Sequence, residues 1–168
     1  MNEQASVLPP PLSPVSALSY DDEQLMQYFV GAEKYQHYYQ KAFLQLTPTK
    51  HIAGINWGAL LFSVVWLFYR KMYRYGVLVI VLLVAITLLE NIFKFEAKGL
   101  GIGVSVSLGL VGNSLYKKFA HEKITKLRSQ VQSSDLNQAL QQAGGTNIGL
   151  AWVLLAFMFV AMFIAHFA

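Results

Sequence analysis

The chain has 168 residues, of which 55% are hydrophobic and only 13% are charged, and it contains no cysteine. Soluble domains carry about 45–50% apolar and about 25% charged residues, so this composition excludes an ordinary soluble domain. The absence of cysteine excludes a disulfide framework, a thiolate metal site and a thiol nucleophile. The formal net charge is +4, but the basic residues lie mainly at the ends of apolar segments, which is typical of membrane orientation rather than nucleic-acid binding.

Residues 1–19 are predicted to form a disordered, proline-rich tail. Four prolines, at positions 9, 10, 11 and 14, disfavour helix, and nothing in the segment pairs into a sheet. A proline-rich ligand for a partner protein is the alternative interpretation.

Residues 20–47 are predicted to form one amphipathic, aromatic-rich helix. Asp21, Asp22 and Glu23 place negative charge at its start, and Pro48 ends it. The apolar stripe at spacings of three and four consists of Leu25, Tyr28, Ala32, Tyr35, Tyr39, Ala42 and Leu46. Such a stripe suits the lipid headgroup layer or packing on the protein's own membrane helices, with a second protein as the third alternative.

Residues 52–168 form the predicted membrane domain, which contains four apolar segments: 52–69, 75–93, 99–116 and 148–168. The last three predict transmembrane helices. The first would be about 27 Å long as a helix, short of a hydrocarbon core of about 30 Å, and Asn56 weakens its start. It therefore predicts either a re-entrant or a spanning helix. The expected fold class is an all-α integral membrane protein.

Residues 117–143, between the last two segments, are predicted to form a basic amphipathic helix that faces anionic lipid headgroups. Basic residues concentrate here and in the turn at 70–74, whereas the two lysines of the connector 94–98 are offset by a glutamate. Because cytoplasmic loops are rich in lysine and arginine, both basic segments are expected in the cytoplasm and the C-terminus outside. The N-terminal helix is cytoplasmic only if segment 52–69 is re-entrant.

The third apolar segment carries small residues on one helical face, namely Gly101, Ser105, Gly109 and Gly112. Small residues let the backbone of another helix approach closely. This is a candidate helix-packing face, either within the chain or between two copies of it.

Glu90 is the candidate polar residue at membrane depth, since an acidic group in a span often marks an ion path. Its position beside Asn91 and Lys94 favours a hydrated carboxylate at the membrane boundary. The four histidines are scattered without ligand spacing, so no catalytic residue, metal site or cofactor is predicted.

Three blocks of sequence remain: Asn56-Trp57-Gly58-Ala59-Leu60-Leu61-Phe62, Trp66-Leu67-Phe68-Tyr69-Arg70-Lys71-Met72-Tyr73, and Gly112-Asn113-Ser114-Leu115-Tyr116. In this order they resemble the bacterial membrane family known as domain of unknown function 2628, over roughly residues 22–147. The candidate interaction or structural motif consists of Asn56, Trp57, Trp66, Tyr69, Arg70, Lys71, Tyr73, Asn113 and Tyr116. The resemblance implies a bacterial inner-membrane location and brings no catalytic residue.

Two functions are expected. The first is a non-enzymatic accessory or scaffold component that binds a partner or the cytoplasmic leaflet. The alternative is a small homo-oligomeric transporter or channel subunit.

Overall fold

A computed structural model describes residues 20–94 and 99–167, and within these ranges it is all-helical, with no strand. The elements are α1 (Tyr20–Val30), α2 (Ala32–Lys34), a π-helical stretch (Tyr35–Tyr39), α3 (Gln40–Gln45), α4 (Trp57–Tyr69), α5 (Tyr73–Phe93), α6 (Leu100–Gln130), α7 (Leu136–Ala143) and α8 (Ile148–Phe167). The all-α prediction is confirmed for this part of the chain. The predicted tail at 1–19 lies outside the described residues.

The predicted helix at 20–47 is not continuous. Gly31 has a φ of 94°, a backbone conformation that glycine adopts without a steric penalty, and it separates α1 from the helical turns that follow. The break rotates the two arms relative to each other, so Tyr28 and Ala32 of the predicted stripe are exposed. The buried residues of this region are Leu25, Met26, Phe29, Val30, Tyr35, Tyr39, Ala42, Phe43 and Leu46. This aromatic side packs within the chain.

Helix α1 packs against α7 and the second half of α6. The rings of Phe29 and Phe119 meet edge to face at 6.0 Å, and the Gly145 backbone N–H donates to the Phe29 carbonyl at 2.7 Å. An ion pair of 3.4 Å joins Arg128 to Asp22. We call α1 to α3, residues 117–130 of α6 and α7 together the helical platform.

Lys117 holds the end of α3 to α6. Its Nζ donates to the carbonyls of Phe43 at 2.7 Å and Leu46 at 3.2 Å, at the helix terminus where carbonyls lack helical partners. Burial lowers the pKa of Lys117 from its ordinary value. The lysine stem and its charge therefore belong to the internal packing of the helical platform.

Helix α4 is shorter than the predicted segment 52–69. It begins at Trp57 because the Asn56 side chain caps it, accepting a hydrogen bond from the Ala59 backbone N–H at 3.0 Å. Ser63, with φ 45° and ψ −119°, breaks its regular geometry. Thirteen residues extend about 20 Å as a helix, well short of a hydrocarbon core of about 30 Å.

Two described stretches, Tyr73–Phe93 and Leu136–Ile164, are long and apolar enough to cross a membrane. The apolar part of the second is α8. The predicted third span, 99–116, is not among them and stays a prediction. It is continuous with the basic segment that follows, because no glycine or proline interrupts α6 between residues 113 and 130.

Candidate functional site

Asn113 of α6 is fully buried at the junction of three parts of the chain. Its Nδ2 donates to the Ala53 carbonyl and to the Tyr38 hydroxyl, both at 3.0 Å, and its Oδ1 accepts from Asn56 Nδ2 at 2.9 Å. The Asn56 backbone N–H donates to the Gly109 carbonyl at 2.8 Å. Both predicted asparagines thus tie the approach to α4 onto α6, and their polar groups are used within the chain.

The chain reverses direction after α4 through a turn centred on Lys71. Its φ of 58° is left-handed, and the Met72 backbone N–H donates to the Leu67 carbonyl at 2.8 Å. This hydrogen-bond pattern closes many helix C-termini. It directs the preceding residue, Arg70, inward.

Arg70 is 5% exposed and lies among three tyrosine rings. Its Cζ is 4.6 Å from the ring centroid of Tyr39, 4.9 Å from that of Tyr116 and 5.5 Å from that of Tyr69. We call these three residues the tyrosine cage. The sequence predicts that the turn at 70–74 is held at the headgroups, whereas its first cation is buried against aromatic faces, which attract cations.

The guanidinium of Arg70 has unused hydrogen-bonding capacity. Its Nε and Nη1 are buried and have no hydrogen-bond partner, and Arg70 forms no ion pair with a carboxylate of the described residues. Burial raises the pKa of Tyr39, so its hydroxyl stays neutral and supplies no counter-charge. A buried charge without its partner costs several kcal/mol, of which each ring returns about 0.5–2 kcal/mol.

Arg70 lines a cavity of about 640 Å³ between the N-terminal helices, α4 and α8. This volume falls within the range of small-molecule sites, about 300–1,000 Å³. Besides the tyrosines, the charged and titratable residues at the cavity are Glu33, Lys34, His37 and Arg70. Its apolar wall includes Trp57, Phe62, Trp66, Ala151, Trp152 and Leu155. Lys34 Nζ donates to the Tyr69 hydroxyl at 2.8 Å, which fixes a second cation near the cage.

Two other predicted motif residues do not line the cavity but hold the end of α7 and the residue before α8. Lys71 Nζ donates to the Gln142 carbonyl at 2.8 Å, and the Tyr73 hydroxyl accepts from Asn147 Nδ2 at 3.0 Å. The Asn147 backbone N–H donates to the Tyr69 carbonyl at 2.8 Å. The bonds of Asn147 place the start of α8 beside the turn after α4, and Ala151 and Trp152 of α8 line the same cavity as Arg70.

The candidate helix-packing face divides into two halves. A Cβ added at Gly109 would lie 2.9 Å from Leu60 Cβ, and one at Gly112 would lie 3.0 Å from Ala59 Cβ, so this half packs against α4. A Cβ at Gly101 would have no neighbour within 4 Å. Close packing within the chain accounts for the second half of the face only.

Ser105 and Glu90 are half-buried, on α6 and on the last turns of α5 respectively. Neither is among the cavity-lining residues. The predicted role of Glu90 stays a prediction.

Sequence reasoning missed several residues of the cavity. Tyr39 and Tyr38 belong to the aromatic N-terminal region, but nothing in their spacing points to Arg70, about 30 residues away. Trp152 and Leu155 look like any lipid-facing residues of a span. Among the described residues no group of three metal-ligating side chains occurs.

The fold and the cavity define an all-helical protein with two long apolar helices and a buried arginine caged by tyrosines. The family described as "Protein of unknown function (DUF2628)" matches residues 27–123, more than half of the chain. The chain therefore belongs to this family, and the predicted resemblance is confirmed, over a narrower range than 22–147. The match includes the tyrosine cage and both asparagines but not α8. Comparisons with curated proteins and with solved structures gave no match.

Proposed function

We propose that the protein is a non-enzymatic accessory or scaffold component of the bacterial inner membrane, which presents the helical platform to a partner or to the cytoplasmic leaflet. The observation that carries this proposal is the exposure of α5 and α8. Helix α5 buries only Gly76, and large apolar side chains such as Val81 (58% exposed) and Met162 (64% exposed) face outward. The core helix of a soluble protein would be mostly buried, whereas lipid is the solvent for such a surface.

Packing within the helical platform supports a cytoplasmic N-terminus. Helix α1 contacts α7 and the basic half of α6, which favours residues 20–45 and 117–143 on the same side of the membrane. An even number of crossings must then separate them. If α5 and residues 99–116 cross, α4 cannot, and its length of about 20 Å agrees with a helix that enters and returns. Helix α8 then crosses once and leaves the C-terminus outside.

The side chains at the cavity support binding rather than catalysis. They are mainly tyrosine rings, apolar side chains and separate charges. No serine, threonine or cysteine is among the described residues that line the cavity, so it lacks the hydroxyl or thiol nucleophile that many covalent catalysts pair with a base.

A homo-oligomeric transporter or channel subunit is the second candidate. The open half of the small-residue face, around Gly101, favours it because another helix has room to approach there. Asn56 and Asn113 argue against a polar path, since their hydrogen bonds are made inside the chain.

The test is recovery of partners with a C-terminally tagged chain, expressed at native level and extracted in mild detergent. Membranes are first washed with alkaline carbonate, and the chain is expected to stay in the pellet. A foreign protein at fixed stoichiometry, identified by mass spectrometry, supports the accessory role. A bare homo-oligomer would contradict it and favour the transporter. Release by carbonate would contradict membrane integration.

Deleting the N-terminal helices is a poor variant for this test, because their aromatic residues form part of the core. Charge reversal at the exposed Lys41 and Lys118 keeps the helices intact. If the outer face of the helical platform binds the partner, these variants lose it while the chain still stays in the carbonate pellet.

A further inference from the structure

Arg70 is a buried cation whose neighbours satisfy it only in part. Three rings face its guanidinium, yet Nε and Nη1 have no acceptor. Ring faces attract charge but accept no strong hydrogen bond. An anion with oxygen acceptors in the adjacent cavity would supply the missing charge and would place hydrogen-bond acceptors beside the guanidinium.

The residues at the cavity have a net positive charge that one negative charge would balance. Lys34 and Arg70 are cationic and Glu33 is anionic, so the formal sum over lysine, arginine and glutamate is +1. Glu33 and His37 are exposed, whereas Arg70 is 5% exposed. Water therefore screens the carboxylate more than it screens the guanidinium, and the inner end of the cavity favours an anion.

The part of the cavity between α4 and α8 is apolar, and its edge is exposed. Phe62 of α4 and Leu155 of α8 line it, and Trp57 and Trp152 at its edge are 61% and 68% exposed. Helix α8, which belongs to one of the two apolar candidate spans, forms one wall of the cavity. An occupant therefore has a charged end at Arg70 and an apolar part that leaves between α4 and α8.

We propose that the cavity binds one anionic phospholipid, with its phosphate on Arg70 and near Lys34, and with acyl chain between Phe62 and Leu155. This inference rests on the proposed membrane location, because the bilayer would supply the lipid through the exposed edge of the cavity between α4 and α8. Free phosphate has no apolar part to fill this wall. A zwitterionic lipid brings its own cation to a site that already has a net positive charge.

All three tryptophans of the chain, Trp57, Trp66 and Trp152, line the cavity, so intrinsic fluorescence reports on it. The experiment titrates the delipidated full chain, in mild detergent, with phosphatidylglycerol carrying brominated acyl chains. Quenching is expected to saturate at one lipid per chain. Brominated phosphatidylcholine is expected to bind about tenfold more weakly or worse. Inorganic phosphate is expected not to compete, and oleate to compete only weakly.

Arg70→Gln removes the charge and is expected to weaken phosphatidylglycerol binding by about tenfold to a hundredfold. Arg74→Gln is the matched control, since Arg74 is exposed on the same turn and is not among the cavity-lining residues. Ala151→Phe keeps Arg70 but fills the wall, and it is expected to lower binding as well. Circular dichroism establishes that each variant is folded.

Equal affinity for the two phospholipids in the unmodified chain would overturn the proposal, and this comparison needs no variant. A folded Arg70→Gln chain that binds phosphatidylglycerol as tightly as the unmodified chain would also overturn it. Tighter binding of oleate than of phosphatidylglycerol would do the same. Carbonate extraction tests the membrane location separately. A chain that stays in the pellet but does not discriminate between lipids overturns this inference and leaves the proposed function standing.

Discussion

At the scale of single residues, Asn113 carries the largest predictable contribution to stability. Asn113→Ala leaves Asn56 Nδ2 and the Ala53 carbonyl buried without their partners. Each buried unsatisfied group costs about 1–3 kcal/mol, so we expect a loss of about 2–5 kcal/mol. Thermal unfolding in mild detergent measures it. Asn137→Ala, at an exposed position on α7, is the control, and equal melting temperatures for the two variants would contradict the prediction.

Tyr35 predicts a loss of stability at alkaline pH. Burial and, secondarily, the Glu23 carboxylate raise the pKa of Tyr35 to about 12, above the value of about 10 in an unfolded chain. Because the folded pKa is the higher one, the stabilising contribution is complete below pH 10 and is lost as the pH rises towards 12. The Tyr35→Phe variant is therefore expected to show a smaller fall in melting temperature between pH 9 and pH 11.

The control for Tyr35 is Tyr28→Phe, at a tyrosine that is 38% exposed. Its melting temperature should fall between the same two pH values as far as that of the unmodified chain. If both variants reduce the fall in melting temperature between pH 9 and pH 11 equally, burial of Tyr35 is not the cause of that fall.

At the scale of helices, the two halves of the small-residue face give opposite predictions. Gly109→Ala places a methyl group against Leu60 and is expected to cost about 1–3 kcal/mol. Gly101→Ala meets nothing within 4 Å and replaces glycine in a helix, so it is expected to change stability by less than about 1 kcal/mol, in the stabilising direction. Thermal unfolding of the two variants compares them directly.

The oligomeric state of the Gly101→Ala variant distinguishes the accessory role from the homo-oligomeric transporter. If the open half of the face joins two copies of the chain, Gly101→Ala lowers the mass measured by light scattering. An unchanged mass leaves the face without a role between copies.

Sequence patterns located the helices well and their interruptions poorly. The acidic start and Pro48 indicated the limits of the N-terminal region, but the apolar spacing runs through Gly31 without a sign that the chain turns there. The sequence shows that Asn56 weakens the start of segment 52–69, while its role as a cap depends on the conformation of the loop before it.

The position of Arg70 could not be predicted from its neighbours in sequence. Cations interleaved with tyrosines have the same pattern on a headgroup-facing turn and in a buried cage. The difference depends on Tyr39 and Tyr116, which come from other helices, and on α8, whose wall of the cavity is about 80 residues away along the chain.

At the scale of the whole molecule, the proposed topology predicts which positions share a side of the membrane. The chain has no cysteine, so single cysteines can be introduced without altering a background. Cysteines at the exposed positions Gln36 and Ser133 are expected to react with a membrane-impermeant maleimide from the cytoplasmic side, and one at Asn91 from the outside. Labelling of intact and opened cells compares them.

Opposite labelling of positions 36 and 133 would contradict the contact between α1 and α7 in the membrane-bound protein. It would also mean that an odd number of the three segments α4, α5 and 99–116 crosses the bilayer. Shared labelling of all three positions would instead mean that α4 and α5 both cross the bilayer or that neither does.

Helix α6 is one uninterrupted rod of 31 residues and is about 46 Å long. Its first half is apolar, and its second half belongs to the helical platform. A rod of this length acts as a lever. A change of 10° in its tilt displaces its far end by about 8 Å. If residues 99–116 cross the membrane as proposed, a thinner or thicker bilayer that changes the tilt of α6 would shift the outer surface of the platform.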